Sequence, residues 1–542
     1  MRVVHSAMLW SRREETQRLL LYVALVLVSV IWQLRPYNDP DFFWHLKNGE
    51  WISQHRELPT QDPFNYTSGV VEPARQRFVL TSYWLSEVIY AAVDGLMGFP
   101  GTVALKFLVA LPFLLVLLKL RRGDPVVHAA LMLCFLLMFY RFYYLDRPQA
   151  FSFLFFAALL VLLEKERTRA AAPSRWRSFL PIPILMLFWA NMHGGHTVGQ
   201  VLIVTYVALE GVKFLHPALQ PAGPERYRRL LIVGGAGLLA SLANPNSYHV
   251  LQLALTQAQD ANFAGNAELA SSVLFYSKTR APEIFIFWAA LVLAAAYCLT
   301  TIAKPDITQI VLLAGTGYEG FSHMRFVPFF MIAALPAIGL LLSAEWVRRW
   351  TRPLLVVGAV VLVAYFSRGV FPSREFVSRA LRVNGDSNPI AAADFVLAND
   401  LKGNLFNTYA WGGYLIWRLG PERKVYVDGR GINPKSMFDV KWVCLAVELP
   451  GSSEPYWKSV LRQNGVGYLI IPRPQRRADI ISEDTSGFIK ALLEDPEWFP
   501  VFADTTALVF VLNRPEHRDV IARHGLAKDR PLGWWLRADF PG

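Results

Sequence analysis

The chain has 542 residues, of which 54% are hydrophobic and 18% charged, and a mean hydropathy of +0.29. Its apolar content exceeds what a soluble core of this length needs, so much of it belongs in lipid. The formal charge of +12 does not support a nucleic-acid partner, because the Lys and Arg residues sit in short links between apolar runs, as cytoplasmic retention signals do. Cys134, Cys298 and Cys444 are too few and too scattered for a disulfide framework or a thiolate metal site.

The first apolar run, near residues 17–35, follows SRREETQR without a small-residue cleavage site and reads as a retained span. It gives way to LRPYNDPDFFWH, which puts Asp39, Asp41 and His45 at a helix end beside the bilayer and opens a first outer loop over 36–82. In residues 83–98, Glu87, Tyr90 and Asp94 share one helical face, which suits an interfacial or re-entrant helix. Ten further spans are expected near 102–120, 126–144, 149–164, 179–192, 196–215, 228–243, 283–303, 306–320, 324–343 and 352–369. The expected fold is therefore a polytopic α-helical membrane domain of about eleven spans over residues 1–370.

With the N-terminus inside, eleven crossings put every basic link on the cytoplasmic side, including Lys119–Arg122, Lys165–Arg177, Arg226–Arg229 and Arg348–Arg349. The polar constellations NDPDFFWH, LDRPQ, NMHGGH, NPNSYH and EGFSHMR then share the outer face. After Phe371 the long apolar runs stop. Short runs at 424–427, 467–471 and 507–512 read as buried strands. Helical spacing appears in 388–400, 434–447, 454–463 and 486–495, so residues 371–542 are expected to form a small extracytoplasmic α/β domain.

Ionisable groups at membrane depth are costly, which makes these clusters the candidate site. Asp39 and Asp41 flank Pro40. Asp41 reads either as an N-cap for the helix beginning FFWHLK or as a base beside Phe42, Phe43 and Trp44, whose bulk lowers local solvation. His45, one turn on, reads as a partner of Asp41, as a cation ligand or as interfacial packing. Asp39, Asp41 and His45 are the set that would hold a divalent cation, should one be used. Arg147 and Arg325 stand where a guanidinium holds a phosphate by paired hydrogen bonds, with snorkelling to lipid headgroups the plainer alternative. Asn191, His193, His196, Glu87, Glu319 and His323 complete the expected cavity lining; the HxxH spacing at His193 and His196 specifies no third metal ligand. Asp428 reads either as a ligand group after a strand or as the partner of Arg430 in a turn.

The segment DPDFFWHLKNGEWISQHRELPTQDPFNYTS followed by TSYWLSEVIYAAVDGLMG, between two spans, resembles the N-terminal pattern of GT-C glycosyltransferases, such as protein O-mannosyltransferases and the lipid A aminoarabinose transferase. The likeness is closer to an uncharacterised bacterial multi-pass family with D-x-x-W-H-L (Asp41–Leu46), R-P-Q (Arg147–Gln149), N-x-H-G-G (Asn191–Gly195), W-G-G-Y-L-I-W (Trp411–Trp417) and D-G-R (Asp428–Arg430). This resemblance implies a transferase of the bacterial inner membrane using a polyprenyl-phosphate-linked sugar and a lipid, glycan or protein acceptor. It assigns Asp41 as the general base. Two departures stand out: Pro40 separates acids that are often adjacent in GT-C enzymes, and the counterpart of residues 83–98 is commonly a crossing there. The rival readings are a non-catalytic factor for envelope polysaccharide assembly and a lipid-linked substrate carrier.

Overall fold

A helix occupies each of the eleven apolar segments in the computed structural model, which describes residues 2–34, 37, 39–142, 146–168, 176–250, 269–367, 378, 381–448, 451, 454–474 and 484–536. The first is α1 (Arg2–Gln33). After it come α2 (Asp41–His55), α3 (Pro73–Thr81) and α4 (Trp84–Met97), the last covering the segment expected at the interface. The apolar series resumes with α5 (Phe99–Lys119), α6 (Pro125–Phe142), α7 (Gln149–Thr168), α8 (Pro181–Met192), α9 (His196–Val212) and α10 (Pro224–Ser241). A short α11 (Ser272–Thr279) precedes α12 (Ile284–Thr300), α13 (Ile307–Ser322), α14 (Val327–Leu342) and α15 (Glu345–Ser367).

Among the described residues, Phe99–Lys119, His196–Leu215 and Met324–Leu342 are long and apolar enough to cross a bilayer. Arg18–Ile31, Pro125–Phe139, Pro181–Met192 and Ile284–Thr300 are shorter apolar helical stretches. Exposed stripes such as Leu108, Leu111 and Leu115 on α5, or Val357, Val360 and Val361 on α15, are favourable against lipid chains and costly in water.

The chain divides into two compact units: Met1–Arg35, Leu96–Gln252 and Gly265–Leu381 form the first, while Pro36–Gly95 joins Arg382–Gly542 in the second. The expected first outer loop and α4 therefore belong with the C-terminal α/β segment. Within the first unit, charge marks one end of the helices. Arg167 donates to Asp306 at 2.5 Å and to both oxygens of Glu164 at 3.0 and 2.9 Å; Lys213 donates to Glu210 at 2.6 Å and Asp306 at 2.8 Å. These pairs gather the end of α7, the end of α9 and the start of α13. The other ends of the same helices accordingly carry residues 146–148, 193–195 and 323–326. The basic links supply some of their own counter-ions, which a count of Lys and Arg alone overlooks.

The second unit holds a four-stranded sheet of β1 (Asn404–Asn407), β2 (Val466–Pro472), β3 (Trp498–Ala503) and β4 (Ala507–Leu512) in the order β1-β2-β4-β3. β1 runs parallel to β2, and the other pairs are antiparallel. β2 and β4 are buried almost throughout without alternation, as strands covered on both faces are. The expected helical stretches form α16 (Ile390–Ala398), α18 (Pro434–Cys444), α19 (Tyr456–Gln463) and α20 (Ser486–Glu494), while α17 (Gly412–Leu419) lies in the WGGYLIW motif. Phe406, Val440, Trp457, Leu469, Phe488 and Phe510 form the core of this unit, each such side chain contributing about 1.5–3 kcal/mol by burial.

The expectation of a strand at 424–427 is corrected. Val425 makes only an isolated bridge with Asn65, and the side chain of Asn407 replaces the ladder, accepting from Tyr426 N–H at 2.9 Å and donating to Val427 O at 2.8 Å. β3 escaped the sequence reading because Pro500 interrupts it, which is tolerated because β3 is an edge strand with a register shift at that point.

Candidate active site

The turn before α2 separates the roles of the two aspartates. Asp39 Oδ1 accepts the Asp41 N–H at 3.0 Å, and Asp39 is 8% exposed. Pro40 occupies the N-cap position and no side chain caps the helix there, so Asp39 serves the first N–H of α2 from just outside it and Asp41 is not the N-cap. The Asp41 side chain is partly exposed at the first residue of α2, where the positive end of the helix favours a carboxylate.

Asp41 lies against the DGR turn. A Cβ built on Gly429 would fall 1.8 Å from Asp41 Oδ1, so the carboxylate fills the space that any other residue's side chain would need. Gly413 admits a similar approach, since its Cβ would fall 2.1 Å from the Pro40 carbonyl oxygen; a Cβ on Gly412 would fall 2.2 Å from that of Val427. The D-x-x-W-H-L motif thus meets two motifs that lie hundreds of residues further on: D-G-R packs on the Asp41 carboxylate through Gly429, and W-G-G-Y packs on the Pro40 carbonyl and on the backbone entering D-G-R through Gly413 and Gly412.

Arg430 anchors this meeting. It donates to Asp62 at 3.0 and 2.8 Å and to Asp428 at 2.7 and 2.9 Å, while Asn65 donates to Asp428 at 3.0 Å. The side chains of Asp62, Asp428 and Arg430 are at most 1% exposed. Burial alone would raise Asp428, but the Arg430 charge and its hydrogen bonds hold that carboxyl below its usual range. Asp62 goes the other way: burial raises it, and the opposing pull of Arg430 is offset by the nearby Asp428. Asp428 is thus the partner of Arg430, one of its two sequence readings. Asp62 was missed altogether, its only signal being the crowding of polar residues in QDPFNYTS.

Behind Asp41 on α2, His45 Nδ1 lies 2.9 Å from Glu87 Oε1, and Asn48 donates to Glu87 Oε2 at 2.6 Å. Glu87 is wholly buried. Burial pushes its carboxyl well above the usual range, against the Asn48 hydrogen bond and the Arg430 charge. The approach of α2 to α4 depends on Gly49, whose Cβ would fall 1.9 Å from the Glu87 carbonyl oxygen. Trp44 Nε1 and Asn48 Oδ1 are buried and make no hydrogen bond among the described residues. Such atoms are stabilised by an added hydroxyl or water.

The remaining candidates lie in the first unit. Arg147 is half-buried beside Asp146, whose carboxylate pairs with Lys106 at 2.7 Å in a buried contact absent from the sequence reading. His193 Nδ1 accepts from the Ser152 hydroxyl at 2.7 Å and from Gly195 N–H at 2.8 Å, and Ser152 accepts from Trp189 Nε1–H at 2.7 Å. The R-P-Q and N-x-H-G-G motifs are thus joined through Ser152, and a Cβ on Gly195 would meet His193 Nδ1 at 2.6 Å. Asn191 ties α8 to the end of α10, donating to Ala243 O at 2.8 Å. His196 is buried, with Nδ1 3.3 Å from the His193 carbonyl oxygen. Arg325 lies in a single 3-10 turn (Met324–Phe326), and His323 is 3.4 Å from Glu319.

Among the described residues, no group of three or more His, Cys, Asp or Glu side chains is disposed to hold a metal ion. Asp39 serves the backbone of Asp41 and His45 faces Glu87, so the trio suggested for a divalent cation does not form a ligand set.

No family model and no curated protein sequence matches the chain. Among solved structures it is similar to the archaeal oligosaccharyltransferase AglB from Archaeoglobus fulgidus in complex with an inhibitory peptide and a dolichol-phosphate. That match has a TM-score of 0.52 and 11% identity, and covers 91% of this chain and 74% of that one. It is also similar to the arabinofuranosyltransferase AftD from Mycobacteria, with a TM-score of 0.53 and 14% identity over 92% of this chain and 40% of that one. At 11–14% identity these likenesses are of fold: the chain shares the architecture of these two membrane glycosyltransferases, in agreement with the fold that the sequence resemblance implied.

Proposed function

We propose that this chain moves a sugar from a polyprenyl-phosphate donor to an extracytoplasmic acceptor, with Asp41 as general base. The observation that carries this reading is the seating of the Asp41 carboxylate against Gly429 of the D-G-R turn, next to the Pro40 carbonyl that Gly413 approaches, while Asp39 holds the Asp41 N–H. In the reaction, an acceptor hydroxyl attacks the anomeric carbon and Asp41 takes its proton. The bond from that carbon to the phosphate oxygen breaks, and the polyprenyl phosphate leaves as an anion. Arg147 and Arg325 are assigned to that departing charge, as cationic donors at the ends of spans. Glu87 and His45 brace the same turn of α2 from behind.

The GT-C fold, and the dolichol-phosphate bound by AglB, support a lipid-linked donor. The charge pattern of the links supports an inner-membrane protein whose second unit is extracytoplasmic.

The deciding experiment reconstitutes wild-type and Asp41→Asn protein with polyprenyl-phosphate-linked sugars and acceptor fractions extracted from the producing cells. Asp41→Asn should lose about 10²–10⁴-fold in turnover, the usual worth of a general base, at an unchanged melting temperature. Full turnover by the variant rejects Asp41 as the base, and absence of turnover by the wild type rejects the reading in favour of a scaffold or a carrier.

A further inference from the structure

We propose that Gly429, held by the Asp62–Arg430–Asp428 cluster, is a positioning residue that aims the Asp41 carboxylate at the acceptor hydroxyl. This rests on the reading of Asp41 as the base. The glycine is required for space rather than for backbone freedom. Gly431, two residues on, has a φ of 58° that favours glycine, whereas no such conformation occurs at Gly429. What excludes a side chain there is Asp41 itself, with Oδ1 at 1.8 Å from the Cβ position and the carboxyl carbon at 2.8 Å.

A surface that fixes a carboxylate must itself be fixed. Gly431 N–H closes the turn onto the Asp428 carbonyl oxygen at 3.2 Å, Arg430 N–H donates to Asp428 Oδ1 at 3.0 Å, and Tyr409 donates to the Gly429 carbonyl oxygen at 3.1 Å. Arg75 adds a bond to the Gly431 carbonyl oxygen at 3.1 Å. The first loop, the 3-10 turn at Tyr409–Trp411 and the turn's own side chains thus all restrain the backbone against which Asp41 rests. The D-G-R motif supplies a seat for the carboxylate: aspartate and arginine lock the turn, and glycine leaves the room.

The test uses the full chain reconstituted with polyprenyl-phosphate-linked sugars from the producing cells, comparing wild type, Asp41→Asn, Gly429→Ala and Tyr409→Phe. Gly429→Ala should lower kcat about 100-fold, the scale of a 1 Å misplacement, with KM for both substrates within about twofold and the melting temperature nearly unchanged. Tyr409→Phe should lower kcat several-fold in the same manner. A Gly429→Ala enzyme with wild-type kcat, or losses that appear in KM or melting temperature in place of kcat, overturns the proposal. Should Gly429→Ala fail to accumulate, Tyr409→Phe decides: lower kcat at constant KM supports the proposal, and unchanged kcat overturns it. An active Asp41→Asn sinks the assignment of the base itself, whereas an inactive Asp41→Asn beside a fully active Gly429→Ala sinks only the seat.

Discussion

Arg430 donates to both carboxylate oxygens of Asp62 across 368 residues of chain, at 3.0 and 2.8 Å. Because the same guanidinium also holds Asp428, removing it strands two buried carboxylates. Arg430→Leu is therefore expected to cost about 3–5 kcal/mol, the penalty for breaking a buried pair from one side. The measurement is thermal unfolding in detergent together with limited proteolysis of the second unit. A melting temperature equal to that of wild type would show that the clamp holds nothing.

Glu87 gives a pH signature. Its folded carboxyl titrates above the unfolded one because burial disfavours the charge. A group raised in this way contributes its full stability below the unfolded value, near pH 4 to 5, and loses it as pH climbs toward the folded value. Glu87→Gln keeps a neutral hydrogen-bonding group and has no proton to lose. The melting temperature of Glu87→Gln relative to wild type should rise steadily from pH 4.5 upward. A difference that stays flat across that range contradicts the buried, neutral state of Glu87.

How far the sequence revealed this site depends on what each residue needed to be recognised. Asp41 was visible because it stands at an apolar-to-polar junction, and the helices at 388–400, 434–447, 454–463 and 486–495 were visible by periodicity alone. That Asp39 rather than Asp41 would serve the backbone at the start of α2 was not, since this turns on one 3.0 Å bond to a backbone N–H. Asp62 was invisible, because its partner lies in another segment and an Asp-Pro pair reads as an ordinary turn. Glu87 was noticed for its helical face, but its full burial was not legible, because it depends on α2 lying close against α4, as the approach at Gly49 shows. The run at 424–427 misled because a side chain, Asn407, satisfies backbone that a strand partner usually would.

The Lys106–Asp146 pair carries a prediction for the first unit. Both side chains are at most 5% exposed, and their contact pins the turn that precedes Arg147 to α5. Lys106→Met alone leaves a buried carboxylate, and Asp146→Asn alone leaves a buried ammonium, so each should lower the melting temperature. The double variant removes both charges and should recover most of the loss, since an apolar or neutral replacement of a buried pair is often close to neutral in stability. Additive losses in the double variant would show that the two residues act independently.

Arg147 and Arg325 are assigned here to the donor phosphate, and their substitution separates that role from anchorage to lipid headgroups. A charge-assisted hydrogen bond is worth about 1.5–3 kcal/mol, which corresponds to roughly a 10- to 100-fold change in affinity. Arg147→Gln and Arg325→Gln should each raise KM for the polyprenyl-phosphate-linked donor by about that factor, leaving KM for the acceptor unchanged. Lysine at either position should restore only part of the affinity, because an ammonium cannot reproduce the paired geometry of a guanidinium on phosphate. If headgroup anchorage were their role, the same variants would alter insertion and melting temperature while donor KM stayed constant. Donor KM measured in vesicles of neutral and of anionic lipid distinguishes the two, since only anchorage responds to the lipid charge in the absence of a change in the donor.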